Sequence, residues 1–329
     1  MLPHLPGIAE QLALAAHAGF QQALASGGPR SGGRPGDEVA AVKAIVLDGF
    51  AEAAAEWTRL LGPYGYRLEL RPVFVHSRPH VAFTKTDGTP GRCELADLLV
   101  VIDFQPSGDG RPDRRAVLIQ GKVAKKGRIR LYGKEWVQFE LLSRWPRFTF
   151  ATPGYDPRAR NLTGPATPGS HILTGEYGAI HLAAALPHWT QLMVTPPKGF
   201  IGDCDFGQFL ATMAFGAGMC GREADAGGAD DWSFTVDELL RVTGALPIVK
   251  SASHLRGQTY GAGFLQMLEF SSAASLSSPA AAASSEGGGD EPPPEDGDEP
   301  WPDGPMSTVQ LIVRGGEDRI DERPRPREG

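Results

Sequence analysis

The stretch CELADLLVVID, Cys93 to Asp103, decides how this chain is read. Leu98 to Ile102 is an unbroken apolar run, where a strand with one wet face would alternate. Such a run belongs to a strand covered on both faces. Three acids bracket it nonetheless: Glu94 and Asp97 before it and Asp103 at its end. A carboxylate taken out of water costs on the order of several kcal/mol unless something compensates it. Acids at the mouth of a central strand therefore predict a site there, with compensating groups supplied by other parts of the chain.

The next apolar segment supplies them. In RAVLIQGKVAKK, Gln120 and Lys122 follow Asp97 by 23 and 25 residues. Side chains two apart on a strand share a face, so Gln120 and Lys122 project together. Pairing with a strand at 94–104 brings Asp97 beside them. A carboxylate and an amide oxygen suit Mg²⁺ or Mn²⁺, with water and a substrate phosphate completing the shell. The lysine would orient or deprotonate an attacking water and neutralise charge developing on phosphorus.

The flanking segments give this pair a setting. Val39, Val42, Val46, Phe50, Ala53, Trp57 and Leu60 recur at helical steps, predicting a helix over 37–61 that Gly62-Pro63 ends. Asp37 and Glu38 in its first turn suit the helix dipole. Strands are expected at 66–76, 80–86 and 94–104, then the Gln120 strand, a helix over 133–145 and a strand at 148–152. Trp136, Trp145 and Phe148 are expected to pack the core. A helix, these four strands, a second helix and a last strand make a small α/β unit with a central mixed sheet.

An acid, a gap, and then a polar residue two before lysine on the adjacent strand resembles the PD-(D/E)XK nuclease superfamily, whose fold is restriction-endonuclease-like with an αβββαβ core. The resemblance covers residues 37–152 and carries its implications residue by residue. Asp97, Gln120 and Lys122 would be catalytic, with Gln120 standing where many members have an acid. A first-helix glutamate, Glu52 in preference to Glu56, would add a metal ligand, and Gln138 matches a helix glutamine of RecB-type branches. Glu94 is a further candidate at the strand start. Because Gln120 removes a negative charge, one bound cation is expected rather than two. The implied activity is Mg²⁺-dependent cleavage of DNA, with a bacterial anti-phage or restriction role, a partner protein of such a system, and a homodimer as further expectations. The alternatives are an inactive nucleic-acid-binding or assembly module on the same fold, and RNA as substrate.

Charge supports a polyanionic partner. The chain carries a net −7, but residues 272–329 hold thirteen acids against five arginines, leaving the preceding residues near neutral. Residues 111–134 hold nine Lys/Arg against Asp113 alone. Arg115, Lys125, Lys126, Arg128, Arg130 and Lys134 are thus expected to hold a nucleic-acid backbone.

Beyond this unit, the expected divisions are a helix and Gly-rich linker at 1–36, an accessory α/β region at 153–271, an acidic disordered segment at 272–305, and a strand with a charged tail at 306–329. The accessory region is expected to hold a helix and a strand within 177–195, helices over 205–221 and 233–243, and a strand at 264–270. The acidic segment has too few large apolar groups to offset its ordering entropy and is expected to compete with nucleic acid for the basic surface. No apolar run is long enough for a membrane span. Cys93, Cys204 and Cys220 form no disulfide framework or metal spacing, which points to a reduced, cytoplasmic chain. His171, His181 and His188 likewise lack ligand spacing. The wealth of Ala, Gly, Pro and Arg fits a GC-rich bacterial genome.

Overall fold

A computed structural model describes residues 2, 7–26, 37–74, 79–107, 112–163, 175–195, 199–216, 220–244 and 306–315. The strand expected at 264–270 and the acidic segment at 272–305 lie outside the described residues.

The protein is mixed α/β. Among the described residues its central sheet has eight strands: β1 (Tyr66–Val73), β4 (Leu98–Pro106), β5 (Asp113–Val123), β7 (Gly175–His181), β8 (His188–Thr195), β9 (Gly199–Asp205), β10 (Arg222–Glu223) and β11 (Thr308–Gly315). They run in the order β1-β11-β4-β5-β7-β8-β9, and β10 pairs with β5. A second sheet sets β2 (His80–Thr84) between β3 (Pro90–Glu94) and β6 (Phe148–Phe150). The helices are α1 (Ile8–Ser26), α2 (Asp37–Ala44), α3 (Phe50–Leu61), α4 (Glu135–Arg144), α5 (Phe206–Ala214) and α6 (Asp231–Gly244).

The apolar run of β4 is buried on both faces, as its composition demands. Leu98, Val100 and Ile102 join a core built with α1, α2, α3 and α5. Leu99 and Val101 join a second core with α4, α6 and the small sheet. β5 repeats the division, with Val117 and Ile119 on one side and Ala116 and Leu118 on the other. One of the bracketing acids is thereby explained. Asp103 accepts from Nε of Arg114, its cross-strand partner, and from Nε2 of Gln310, while Arg114 also reaches Asp237 of α6. It is a buried structural carboxylate.

Several expectations are corrected. The strand expected at 94–104 is β4, which starts at Leu98; Glu94 instead ends β3 of the small sheet, and Leu95 to Asp97 make the crossing. The 148–152 segment does not enter the central sheet; β6 pairs with β2, and β7 takes the place parallel to β5. The 177–195 segment is a pair of antiparallel strands, not a helix and a strand. Its Ala-rich start reads as helical, but Gly178 leaves room for the Trp189 indole, which lies where any Cβ at 178 would be, at 2.2 Å. That packing overrides local propensity. The 37–61 helix is interrupted at Ile45–Gly49 by a π-helical turn. Trp136 is not in the core: it is 47% exposed.

The sheet also crosses the expected divisions. β7, β8 and β9 from the region after 152 extend it on one side. β11, from the far end of the chain, lies between β1 and β4, antiparallel to the first and parallel to the second.

Candidate functional site

Asp97 sits where the chain steps from the small sheet to the central one. Its own N–H donates to the Ile119 carbonyl at 3.1 Å, which fixes the step against β5. Its Oδ2 then accepts from the Gly121 N–H at 2.8 Å and from Gln120 Nε2. Gln120 is buried and passes the contact on, its Oε1 accepting from Gln138 Nε2 of α4. Gln138 also donates to the Glu94 carbonyl at 3.1 Å, tying α4 to the end of β3. So Asp97, Gln120, Gln138 and the main chain of Glu94 form one hydrogen-bonded line.

Lys122 closes the site. Its Nζ lies 2.7 Å from Glu38 Oε1 on the first turn of α2 and 3.2 Å from Glu135 Oε1 on the first turn of α4. The helix glutamate at the site is therefore Glu38, where Glu52 and Glu56 were expected. The correction has a geometric reason. α2 lies over β5, while α3 lies over β1 at the other side of the sheet. Fourteen residues of helix separate Glu38 from Glu52, roughly 20 Å of rise. Glu52 and Glu56 are exposed in the groove between α1 and α3, and Glu56 pairs with Arg59 at 2.8 Å.

Arg115 is also elsewhere. It is near the opposite end of β5, seven residues or roughly 23 Å from Lys122, and contacts the Gly221 carbonyl and Glu223. Lys125, Lys126, Arg128, Arg130 and Lys134 are exposed on the loop between β5 and α4, directly after Lys122.

Burial sets the electrostatics. It pushes the Asp97 carboxyl up to about 7, and the nearby Glu38 charge adds to this, against the pull of Lys122, Gly121 and Gln120. Burial also raises Glu38, despite its pairing with Lys122. Lys122 itself loses hydration, but the charges of Glu38 and Asp97 outweigh that loss and hold its ammonium firmly protonated. The thiol of Cys93, buried beside Glu94, is pushed up to about 12, too high for a nucleophile.

Tyr177 was not foreseen. It is in register with Gln120 on β7, fully buried, and its hydroxyl has no hydrogen-bond partner among the described residues. Burial and the charges of Asp97, Cys93, Glu135 and Glu38 raise it well above the ordinary phenol value. The Tyr177 hydroxyl is therefore a buried donor left unsatisfied among the described residues, near the half-buried Asp97.

These residues suit a hard divalent cation in part. Among the described residues no three acidic, histidine or cysteine side chains form a ready metal cage. Mg²⁺ does not require one, since it binds through one or two carboxylates and otherwise through water and phosphate. Asp97, Glu38 and Glu135 are three acids set about one ammonium, an excess of carboxylates that a cation could offset. Gln120 fits less well: its NH₂ faces Asp97, and its oxygen is turned to Gln138.

Glu38, Glu135 and Tyr177 each had a faint signal in the sequence. Glu38 adjoins Val39 of the apolar stripe, Glu135 opens the helix that follows the basic loop, and Tyr177 lies in a segment that reads as helix. Among the described residues no helix is long and apolar enough to cross a membrane. No family model, curated protein or solved structure matches this chain.

Proposed function

We propose that the protein is a nuclease of the restriction-endonuclease-like kind, acting on DNA phosphodiesters with Mg²⁺ or Mn²⁺. The observation that carries this reading is the meeting of Asp97, Gln120 and Lys122 at one end of the central sheet, with Glu38 joining from the preceding helix. Asp97 and Glu38 would hold the cation. The cation, when bound, would polarise the phosphodiester and acidify water. Lys122, as an ammonium, would neutralise charge developing on the nonbridging oxygens. The Tyr177 hydroxyl would donate to the phosphate or to a water beside it, and Gln138 would position Gln120. The cations of the 125–134 loop would grip the backbone, with affinity falling steeply as salt rises.

The test is plasmid and oligonucleotide cleavage with Mg²⁺. Asp97→Ala and Lys122→Ala are each expected to lower the rate by about two orders of magnitude or more, the usual scale for a lost charge-stabilising or proton-transferring group. Activity unchanged in both variants would end the assignment.

A second reading has its own support. Lys122 is engaged by two carboxylates and the Gln120 oxygen by Gln138, so the polar groups satisfy one another. That arrangement also suits a nucleic-acid-binding module without catalysis. Calorimetric titration separates the two: salt-sensitive DNA binding with no Mg²⁺ or Mn²⁺ uptake favours the module.

A further inference from the structure

The loop after Lys122 carries more than charge. AKKGRIRLYGK, residues 124–134, has five cations and no acid. A tight turn joins Lys125 to Arg128, whose main chains pair with N···O 2.9 Å in one direction. Lys126 and Gly127 adopt left-handed φ values of 52° and 72° there, which turn the cations outward.

Two rings stand in water beside these charges. Tyr132 is 58% exposed and Trp136 is 47% exposed. Trp136 is braced, its ring set against Phe139 with centroids 5.5 Å apart and planes at 73°. The main chain beneath Tyr132 is tied to the candidate site through Glu135, the residue before Trp136. One Glu135 oxygen accepts the Tyr132 N–H at 2.7 Å, and the other lies 3.2 Å from Lys122 Nζ. A single side chain thus separates the exposed aromatics from the site's ammonium.

We infer that Tyr132, Trp136 and the cations of the 125–134 loop form a binding surface for single-stranded DNA, feeding its backbone toward Lys122 and Asp97. Clustered cations with no acid among residues 124–134 call for a polyanion. Flat rings left in water call for a partner with open π-faces, and a duplex keeps those inside its own stack, whereas an unpaired strand presents them. Phosphate contacts alone would suit either form, so the rings are what select the single strand. The delivery step rests on the nuclease reading, but the binding surface does not.

The test measures binding of the full chain without divalent cations, so that no cleavage can occur. Anisotropy of a labelled oligo(dT) of about 20 nucleotides, enough to span the site sizes of such surfaces, is compared with a duplex of equal length. The single strand is expected to bind at least about tenfold more tightly. Trp136→Ala and Tyr132→Ala should each weaken single-strand binding roughly tenfold and leave duplex binding in place, as loss of a base-stacking ring does. Tyr132→Phe, which keeps the ring, should retain affinity. Lys125→Ala with Arg128→Ala should weaken both forms and flatten the salt dependence. Equal or tighter duplex binding, unchanged affinity in both ring variants, or preference for oligo(U) RNA would each overturn the inference. Separate failure of the nuclease reading stays visible. Single-strand binding that needs the rings, with no cleavage once Mg²⁺ is added, sustains the surface and sinks the enzyme. Cleavage with ring-independent binding does the reverse.

Discussion

At the scale of single residues, what was legible depended on whether strand periodicity alone could place a side chain. Asp97, Gln120 and Lys122 follow from a period of two and one strand pairing, and the structure brings them together. Glu38 did not follow, because an acid in a first helical turn is fully accounted for by the dipole and gives no sign of a lysine across the sheet. Tyr177 lay in a segment whose alanines suggest a helix. The energetics of Asp97 give a prediction that does not depend on catalysis. Its folded pKa of about 7 lies above the ordinary value of 3.8. Between those values the folded protein keeps a proton that the unfolded chain has released. Asp97 therefore makes stability fall as pH rises from about 4 to 7, by about 1.4 kcal/mol per unit across the window at most. Asp97→Asn removes that loss. The variant should melt higher than the parent at pH 8 and close to it at pH 4, as read by thermal unfolding without divalent cations. A variant no more stable than the parent at pH 8 would contradict the buried, proton-retaining carboxyl.

At the scale of elements, strands with apolar runs were found in the sequence, while their neighbours were not. The 80–86 and 148–152 segments are strands, but nothing in their composition told which sheet they join. The helix over 37–61 was also found, yet its π turn and its path across the sheet were hidden. Both decide which glutamate matters. Gly49 ends the π turn where α1 packs, and a Cβ on it would meet Phe20 at 2.7 Å, so this position admits α1 closely. α2 is thereby left over β5 and α3 over β1. On the proposed function, Glu38→Gln should lower Mg²⁺-dependent cleavage roughly a hundredfold, and Glu52→Gln should leave it within about twofold, as for a surface substitution. The measurement is initial cleavage rate at saturating Mg²⁺. Equal loss in both variants would mean that the helix does not direct the site as its packing indicates.

At the scale of the whole molecule, the chain's last described segment is central. Val309, Leu311 and Val313 of β11 fill the same core as Leu98, Val100 and Ile102. The sequence showed a strand at 308–314, but a strand's position in a sheet depends on partners far away in the chain. This placement governs how the acidic segment can be examined. Ending the chain before residue 306 removes a strand flanked on both sides and should yield insoluble or unfolded protein. Removing only 272–305 keeps β11, and should leave a fold with an unchanged far-ultraviolet dichroism spectrum. If the acids compete for the basic loop, that internal deletion also binds DNA more tightly at low salt, where surface electrostatics are least screened. Unchanged affinity would refute the competition.

The position of β11 also bears on biosynthesis. A nascent chain still short of residue 308 has β1 without its partner among the described strands and β4 with one side bare. The sheet is completed only after residues 308–315 have been made, and pairing between segments so far apart along the chain is slow to form. A product that stops short of residue 308 lacks that closing strand and leaves two strand edges open, the kind of chain that aggregates or is degraded.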